Sequence, residues 1–408
     1  MRDIAIIGAG QSGLQLAFGL LAKGYTVSVY SDRTPEEIEN GFIMSSQCMF
    51  NTPLDYEREL DLNFWDESCP NIDGIALSLM APGTTDKVIS WSARLDNPAQ
   101  SLDQRVKMPR WIREFEKRGG KMIYESADID TLEKLAKTND LVVIASGKGE
   151  IGKLFKRDAE RSQFDKPMRA LGLVYVHGMT PRKDYSAVDF NIAPGVGEFF
   201  VFPAQTLTGD CHILVFEGIP GGPMDGWPSM HDSKACFDYG MQLLKTHFPD
   251  QALLCKNAKL TDDKGVLAGR FPPTIKNPVG ELPSGAIVYG IADCVCLNDP
   301  ITGQGSNNAS RAAKFNLDAI LKHGGNDFSR DWMRATFEGN LAEVKTCVDW
   351  TNSMLLPPPE FRLNLLGAAG EIPELASRIA NNFNTPSDFA PWWFEEDEAN
   401  KLLASYTP

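Results

Sequence analysis

The chain begins with a pattern of apolar and polar positions that predicts a strand, a helix and a second strand. Ile4 to Ile7 is a short apolar run typical of a buried strand, and Leu14 to Lys23 has apolar residues at helical spacing until Gly24. Tyr25 to Tyr30 is a second run rich in β-forming residues. The residues between the first strand and the helix are Gly-Ala-Gly-Gln-Ser-Gly. This order of elements is typical of a unit that binds a dinucleotide.

Each glycine of this turn has a separate physical task. Gly8 permits the tight turn, Gly10 lets the backbone approach a pyrophosphate, and Gly13 lets the helix pack closely against the strand. Gln11 and Ser12 lie in the turn before the predicted helix, whose N-terminus offers free N–H groups and the positive end of its dipole to phosphate. The turn therefore predicts a site for a cofactor that contains ADP.

The end of the second strand does not decide which cofactor binds. The acidic residue expected to hold the ribose is not at Ser31 but one position later, at Asp32, and Arg33 is beside it. This stretch alone is compatible with NAD, NADP or FAD as the cofactor.

Later apolar runs predict further elements of the same layer. Gly41 to Phe50 is expected to be a strand that re-enters the core, and Lys107 to Arg118 is expected to be a helix. Asp140 to Gly147 is typical of a fully buried parallel strand that ends in a glycine turn. Ala286 to Ile291 predicts another buried strand, and a helix is expected from Gly303 to Leu321. The first domain is therefore predicted to be discontinuous.

The middle third of the chain has a different pattern. Short β-rich runs between Ala170 and Phe271 predict an antiparallel sheet, interrupted by a helix near Lys234 to Phe248. After Asp331, helical patterns with proline breaks predict a C-terminal helical layer. The predicted division is a cofactor-binding domain at residues 1–70, 96–165 and 286–340, a substrate domain at 71–95 and 166–285, and a helical region at 341–408.

Composition narrows the class of protein. The 408 residues include 40 Lys and Arg against 54 Asp and Glu, a formal charge of −14, which argues against nucleic acid or an anionic membrane as a partner. No apolar run is long enough for a membrane span, and the first strand follows Met1 almost directly, so a cytoplasmic protein is expected. The eight cysteines and five histidines have no metal-binding spacing, so no metal site is predicted.

A second chemical signal lies about 270 residues after the first. Asp293 follows a predicted strand, and Asp299 to Asn307 reads Asp-Pro-Ile-Thr-Gly-Gln-Gly-Ser-Asn. An acid at a strand end, a proline turn and a glycine pair at a helix start suit a ribityl chain and the edge of an isoalloxazine. The helix start at Gly303 to Ser306 would aim N–H groups at the N1 and C2=O side of a flavin, where reduced flavin is negatively charged. An ordinary Asp-capped turn is the alternative.

With both signals present, the chain resembles the flavoprotein monooxygenases of the hydroxybenzoate-hydroxylase fold. The resemblance implies an α/β fold in which a Rossmann-like FAD-binding domain carries an inserted mixed or antiparallel β-sheet substrate domain and a C-terminal helical layer. It also implies that Arg105 contacts the FAD pyrophosphate. Family members that reduce their own flavin carry a second Asp-Gly motif, which the stretch LVVIASGKGEIGKLF lacks. Reduced FAD is therefore expected to come from a separate, transiently bound flavin reductase.

Within this fold the chain is similar to the two-component styrene and indole monooxygenases. The similarity covers nearly the whole chain and includes YSDRTPEE, LDLNFW, APGVGE, DPITGQGSNNAS and LPPPEF. The pocket pattern similar to the indole branch is Ser45, Gln47, Met49, Ile72, Ile75 and Ala99. Because Ser45, Gln47 and Met49 are spaced by two, they would share one face of a strand, and Gln47 could accept from an indole N–H. On the residues alone, a core-facing strand with Gln47 bonded to backbone is the alternative.

The resemblance implies a reaction and the residues that serve it. Reduced FAD and O2 would form a C4a-hydroperoxide that epoxidises or 3-hydroxylates indole, leading to indoxyl and indigo. Indole and styrene are the expected small aromatic substrates, and no metal is expected. The expected catalytic residues are Ser45, Pro300, Gly303 and Gln304. The expected FAD contacts are Gly8, Gly10, Gln11, Ser12, Gly13, Ser31, Asp32, Arg33, Arg105, Gly147, Asp293, Pro300, Gly303, Gln304, Gly305, Ser306 and Asn307.

Three other functions share parts of these signals. The nearest is a styrene-type epoxidase of broad aryl-alkene scope. A flavin-dependent halogenase shares the fold, but its WxWxIP motif is missing, and Trp392-Trp393-Phe394 does not replace it. A non-catalytic binding protein like the GDP-dissociation inhibitors is disfavoured by the intact Asp293 and DPITGQG stretch. Asp262-Asp263 is expected to be a solvated surface pair.

Overall fold

A computed structural model describes residues 2–146 and 149–406. In these ranges the strands are β1 (Asp3–Ile7), β2 (Thr26–Ser31), β3 (Asn71–Met80), β4 (Lys87–Gln100), β5 (Lys121–Tyr124), β6 (Leu141–Ile144), β7 (Ala170–His177), β8 (Ala187–Ala193), β9 (Gly197–Thr206), β10 (Gly209–Gly218), β11 (Lys259–Leu260), β12 (Val266–Gly269), β13 (Thr274–Ile275), β14 (Val279–Glu281), β15 (Ile287–Gly290) and β16 (Cys296–Leu297).

The α-helices of the same ranges are α1 (Gln11–Ala22), α2 (Pro35–Glu39), α3 (Asn51–Arg58), α4 (Gln104–Lys117), α5 (Ile129–Thr138), α6 (Gly149–Lys153), α7 (Ser233–His247), α8 (Pro249–Leu254), α9 (Gly305–His323), α10 (Arg330–Met354), α11 (Glu360–Ala368), α12 (Pro373–Asn381) and α13 (Glu396–Tyr406). Short 3-10 helices span Ala292–Cys294, Pro300–Thr302 and Pro386–Phe389.

A six-stranded sheet forms the first layer. Its order is β14-β15-β6-β1-β2-β5, with β14 antiparallel to β15 and the other neighbours parallel. Strand β1 lies between β2 and β6, so that Ile4 pairs with Val27 on one side and with Leu141 on the other. All four residues of β6 are buried, which is why this strand is a continuous apolar run in the sequence.

Helix α1 crosses α9 at close range on this sheet. A Cβ added at Gly19 would lie 2.4 Å from the side chain of Leu317, so the glycine is what allows the two helices to approach. Gln15 Nε2 also donates to the carbonyl of Ser310 (3.2 Å). Because α9 begins at Gly305, this contact places the second chemical segment of the sequence beside the first.

An eight-stranded sheet forms the middle of the chain. Its order is β11-β7-β10-β9-β8-β3-β4, and β12 also pairs with β7. Strands β3 and β8 are parallel, whereas the β3–β4, β8–β9, β9–β10 and β10–β7 ladders are antiparallel. One face of this mixed sheet packs against the C-terminal helices in a single apolar cluster that includes Phe190, Phe200 and Trp350. The predicted α/β architecture is confirmed in its layers.

Two predicted segments differ from the structure. Gly41 to Phe50 is not a strand, because its ladder pairing among the described residues is limited to one isolated bridge, from Met49 to Gln100 at the end of β4. The Cys48 carbonyl and the Phe50 N–H form hydrogen bonds with the side chain of Asn307 in α9 instead. The sequence from Phe64 to Ser92 also predicts short β runs broken by proline and glycine, but this stretch holds the whole of β3 and the start of β4, which pair as a long antiparallel ladder.

Several elements cross the predicted domain boundaries. Strand β4 continues beyond residue 95 to Gln100, and β14 joins the first sheet before residue 286. Helix α10 spans the predicted boundary between residues 340 and 341. The three-part division stays a prediction.

Candidate active site

The carboxyl ends of the parallel strands meet at one edge of the six-stranded sheet. Three expected cofactor segments follow these ends: the glycine turn after β1, Ser31 to Arg33 after β2 and Asp293 after β15. In open α/β sheets this edge is where ligands bind. Gly147, expected to contact FAD, lies outside the described residues.

In the glycine turn between β1 and α1, Gly13 is closely packed and Gly10 faces open space. Gly8 has a φ of +115°, and a Cβ at Gly13 would lie only 2.0 Å from the carbonyl oxygen of Gly8. A Cβ at Gly10, in contrast, would meet nothing within 4 Å. The open space in front of Gly10 fits a backbone that must be approached by a phosphate group.

Helices α1 and α9 both begin without a side-chain cap. Neither helix has a side-chain hydrogen bond to its first turn or an acidic residue there. Other helices of the chain are capped by side chains, such as those of Asp103, Asp128 and Ser329. The first N–H groups of α1 and α9 therefore lack side-chain acceptors and lie at the positive ends of the helix dipoles. This arrangement fits phosphates at α1 and the N1 and C2=O edge of a flavin at α9.

The side chain of Gln11 points into the protein. Its Nε2 donates to Gln15 (3.0 Å) and to the carboxylate of Glu57 (2.9 Å). The same carboxylate is hydrogen-bonded to Lys107, and both members of this ion pair are buried. Gln11 can therefore reach a cofactor through its backbone N–H, while its side chain joins α1 to α3 and α4.

The end of β2 presents one accessible acid. The Asp32 side chain is 62% exposed and lies 3.5 Å from Arg33 Nε. The hydroxyl of Ser31 is buried and donates to the carbonyl of Arg33 (2.6 Å). Asp32 is thus free to accept from ribose hydroxyls, whereas Ser31 supports the turn.

Asn307 joins the start of α9 to the segment that carries Ser45, Gln47 and Met49. Its Nδ2 donates to the carbonyls of Cys48 (2.8 Å) and Gly303 (3.1 Å), and its Oδ1 accepts from the N–H of Phe50 (2.9 Å). These bonds replace the ladder that a strand would have formed. The side chain of Asn307 therefore has a bracing role.

The turn before α9 presents its backbone rather than its side chains. Gly303 adopts a left-handed conformation (φ +64°), and its N–H donates to the carbonyl of Pro300 (2.7 Å). The Gln304 side chain is fully buried and donates to the carbonyl of Phe383 (2.9 Å). Any contact of Gln304 with a flavin is therefore made by its backbone N–H.

Asp293 follows β15 in a short 3-10 helix. The preceding Ala292 has a φ of +49°, a conformation that L-residues rarely adopt. The side chain of Asp293 is reachable by solvent, but it sits in a recess whose desolvation raises the pKa of its carboxyl to about 6. An accessible acid in a confined recess suits hydrogen bonds to ribityl hydroxyls.

An apolar cavity lies between the eight-stranded sheet and the C-terminal helices. Its aromatic lining consists of Trp91, Phe190, Phe200, Trp350, Phe383, Phe389 and Trp393. Ile301 and Thr302, from the turn that leads into α9, form part of the same wall. Through these two residues the cavity adjoins the candidate flavin edge.

The expected substrate residues do not all reach this cavity. Ile75 lines it. Ile72 and Ala99 are cross-strand partners between β3 and β4, and both are completely buried. Met49 is also buried, and its N–H donates to the carbonyl of Gln100 (2.8 Å). Of these four residues, Ile75 has the position that a substrate contact requires.

Gln47 is occupied by protein groups. Its Nε2 donates to the carbonyl of Leu102, and its Oε1 accepts from the Ser45 hydroxyl (2.6 Å). The carbonyl of Ser45 in turn accepts from Tyr175 (2.7 Å). The backbone-bonded arrangement is thus the one in the structure. Gln47 Oε1 has a second lone pair, but Gln47 is buried and does not line the aromatic cavity.

Arg105 does not project toward the glycine turn with a free guanidinium. It is buried and forms two hydrogen bonds of 2.9 Å to Asp262, with a further one to Asp103 (3.0 Å). Burial raises the pKa of Asp262, but the hydrogen bonds and charge of Arg105 outweigh this effect and hold the pKa below its ordinary value. Of the expected solvated pair, Asp263 is exposed, whereas the Asp262 side chain is 26% exposed and ion-paired. Its partner, Arg105, is 157 residues away and could not be read from the sequence.

The aromatic wall is the part of the site that the sequence did not reveal. Trp350, Phe383 and Phe389 come from different elements and pack together, with Trp350 and Phe389 stacked at 4.5 Å. Trp393 was considered only for its mismatch to a halogenase motif, yet it lines the cavity. The available signal was the clustering of aromatic residues near the C-terminus.

The described residues contain neither a membrane-spanning helix nor a metal-binding cluster. Neither α9 nor any other helix within residues 2–146 and 149–406 combines the length and apolarity needed to cross a membrane. In the same part of the chain, no group of three or more His, Cys, Asp or Glu side chains is arranged to hold a metal ion.

Known proteins share this fold and part of this sequence. Residues 147–253 match the family model described as "Styrene monooxygenase A putative substrate binding domain". Styrene monooxygenase StyA of Pseudomonas fluorescens is 29% identical over 94% of this chain and 93% of its own. Similar solved structures include p-nitrophenol 4-monooxygenase PnpA of Pseudomonas putida DLL-E4 (13% identity, TM-score 0.64, 95% of this chain and 99% of that one). Another is the flavin-dependent brominase Bmp2 (13% identity, TM-score 0.64, 93% and 92%).

The fold is that of the FAD-binding hydroxylases, and the chain is by class a flavin-dependent monooxygenase. A flavin is therefore its cofactor. Within that class, the relatives and the matched domain support a place in the styrene and indole monooxygenase family.

Proposed function

We propose that the chain is the oxygenase component of a two-component system that epoxidises a carbon–carbon double bond of a small aromatic compound, with indole as the first candidate. The observation that carries the proposal is the position of the aromatic cavity. Its wall includes Ile301 and Thr302, which lead directly into the uncapped start of α9. A substrate in this cavity would lie next to the flavin edge that α9 favours.

FAD, used in its reduced form, would lie with its pyrophosphate at Gly10 to Gly13 and its ribityl chain at Asp293. When bound, the reduced flavin supplies the activation of O2 and the transfer of one oxygen atom. The chain contributes a water-poor site, because the cavity is walled by aromatic rings such as Phe200 and Phe383. It also contributes the N–H groups of Gly303 to Gly305 at the flavin edge.

A separate reductase is proposed because the chain offers one dinucleotide signature. The second Asp-Gly motif of self-reducing relatives does not occur between Leu141 and Phe155. Electrons would then arrive as reduced FAD that dissociates from a flavin reductase. Mixing the anaerobically reduced FAD complex with O2 and indole, without a reductase present, should yield one molecule of oxygenated indole per flavin.

Styrene is the second candidate, and the character of the cavity wall favours it. Glu198 is the charged residue of the lining, but both of its carboxylate oxygens are held by Arg169 at 2.7 and 2.9 Å. The Thr302 hydroxyl is likewise bonded to Thr351 (2.6 Å). A hydrocarbon needs no acceptor in such a cavity, whereas an indole N–H needs one, for which Gln47 Oε1 is the candidate.

Three substrates separate these possibilities when they are compared with the same reductase and NADH. Indole, N-methylindole and styrene should all be oxidised if the aromatic cavity is the site. If Gln47 accepts from the indole N–H, Gln47→Met should raise the KM for indole roughly 2- to 10-fold and leave the KM for N-methylindole unchanged. N-methylindole is the internal control, because damage to the fold would affect both indoles alike.

The outcomes are distinct. Cells that express the chain with a reductase should turn blue when given indole. Oxidation of styrene without oxidation of either indole would identify styrene as the substrate class instead. Failure of all three substrates, with FAD binding intact, would refute epoxidation of small aromatics.

A further inference from the structure

Four ionisable side chains meet at the cavity wall, where Glu198 lines the cavity, and the chemistry described so far does not use them. Glu198 of β9 and Glu217 of β10 stand directly opposite each other in the antiparallel register, so their side chains lie on the same face of the sheet. Arg169 precedes β7, and Asp299 begins the turn that leads to α9. All four side chains are buried.

The single cation of this cluster is committed to one of the acids. Arg169 Nε and Nη2 donate to the two oxygens of Glu198 at 2.7 and 2.9 Å. Its Nη1 donates to the carbonyls of Met168 (2.9 Å) and Leu355 (3.4 Å). Glu198 and two backbone carbonyls therefore accept the hydrogen bonds of the Arg169 guanidinium, which leaves Glu217 without a positive partner.

Glu217 has an acid as its neighbour instead. No donor of the described residues reaches either of its carboxyl oxygens, and it is completely buried. The carboxyl group of Asp299 lies within hydrogen-bonding reach. Two buried carboxyl groups in contact cannot both be ionised, because one of them must supply the proton of the hydrogen bond.

The surroundings decide which of the two holds the proton. Asp299 Oδ1 accepts from the N–H of Ile301 (3.1 Å), a bond that favours the ionised form of Asp299. Glu217 has no comparable donor. Burial, followed by the charges of Asp299 and Glu198, raises the pKa of Glu217 well above its ordinary value. Burial also raises the pKa of Asp299, although its bond from Glu217 works in the opposite direction.

We propose that Glu217 is a positioning residue, a neutral carboxylic acid that donates its proton to Asp299 and so holds the Pro300–Thr302 turn against the substrate sheet. The turn contributes Ile301 and Thr302 to the cavity and ends in Gly303 at the start of α9. The pair therefore links the position of the flavin edge to the wall of the cavity. This consequence for flavin rests on the proposed function, whereas the protonation state of Glu217 does not.

Infrared spectroscopy of the ligand-free full chain tests the protonation state directly. At pH 7 the wild-type protein should show a carboxylic acid C=O band that shifts in D2O and disappears in Glu217→Gln. The band should persist in Glu36→Gln, a matched control at an exposed glutamate that is paired with Arg113. In Asp299→Asn the band should change frequency, because the acceptor becomes an amide. An acid band unchanged by Glu217→Gln would overturn the proposal.

Fluorescence titration with FAD tests the positioning role. Glu217→Gln can still donate to Asp299, so its Kd for FAD should stay within about threefold of wild type. Glu217→Leu cannot donate, and its Kd should rise about tenfold or more. Equal affinities of the two variants would show that the donated proton does not position the turn. If Glu217→Leu does not fold, the infrared comparison and rescue by Glu217→Gln still decide between the outcomes.

The pH dependence of unfolding gives a third readout. The stability that neutral Glu217 contributes is present below its ordinary pKa of 4.5 and is lost as the pH rises through its raised folded-state pKa. The charged groups facing it are Asp299, Glu198 and Arg169. The Tm of Glu217→Gln should therefore increase relative to wild type as the pH rises above about 5. A difference in Tm that does not change with pH would contradict a protonated Glu217.

Discussion

The variant Gly10→Ala should weaken cofactor binding while leaving the stability of the ligand-free fold unchanged. The Cβ of an alanine at position 10 would meet nothing within 4 Å, and the backbone there has φ −90° and ψ −170°, which any residue can adopt. The new methyl group would occupy the open space in front of α1. If that space receives the pyrophosphate of FAD, the methyl group would push the phosphates away from the N–H groups of the helix.

The expected magnitudes differ strongly between the two properties. A hydrogen bond to a charged group contributes about 1.5–3 kcal/mol, so the loss of one such bond weakens FAD binding roughly 10- to 100-fold. In the ligand-free protein, alanine is the poorer N-cap residue, but it also restricts the unfolded chain, and these effects nearly cancel. The Tm of the ligand-free variant should therefore stay within about 2 °C of wild type.

The assay pairs a fluorescence titration of FAD with a thermal melt of the ligand-free protein. Gly13→Ala is the contrasting variant, because its Cβ would lie 2.0 Å from the carbonyl oxygen of Gly8 and must displace backbone. It should lower both the Tm and the affinity. Normal FAD affinity in Gly10→Ala would refute the assignment of the pyrophosphate to this turn. A large drop in Tm would show that the space in front of Gly10 is not open.

Two further predictions concern buried charge and pH. Lys107→Met leaves Glu57 without its buried cation and should lower the free energy of urea unfolding by about 3–5 kcal/mol. The double variant Lys107→Met, Glu57→Leu should recover much of this loss. A loss as small as the free energy of a surface ion pair would contradict a buried ion pair. The pKa of Asp293 is raised to about 6, so protonation of Asp293 favours the folded state below pH 4, and this advantage is lost as the pH rises through 6. Asp293→Asn should therefore gain Tm relative to wild type between pH 4 and pH 7 while binding FAD more weakly, and parallel Tm profiles would argue against the raised pKa.

The ADP half of the candidate site could be predicted because its chemistry depends on consecutive residues. The tight turn at Gly8, the open position at Gly10 and the close packing at Gly13 are local properties of one strand–turn–helix unit. The segment after Gly41 was harder, since a spacing of two predicts a shared face only if a neighbouring strand exists. Among the described residues this segment meets β4 at a single bridge, and Asn307 forms hydrogen bonds with two of its backbone groups.

The buried charges at the cavity wall could not have been predicted, since their pairing depends on long-range register. In the sequence, Glu198 and Glu217 stand in β-rich runs, GEFFVFPA and CHILVFEGI, where acids at strand ends are usually solvated. Only the β9–β10 ladder places them opposite each other, and only the turn before α9 adds Asp299. With one arginine for three acids, the cluster requires at least one bound proton to be stable in an apolar setting. Substitution experiments in this region must therefore measure the protonation state of the acids, because the effect of replacing one residue depends on which acid holds the proton.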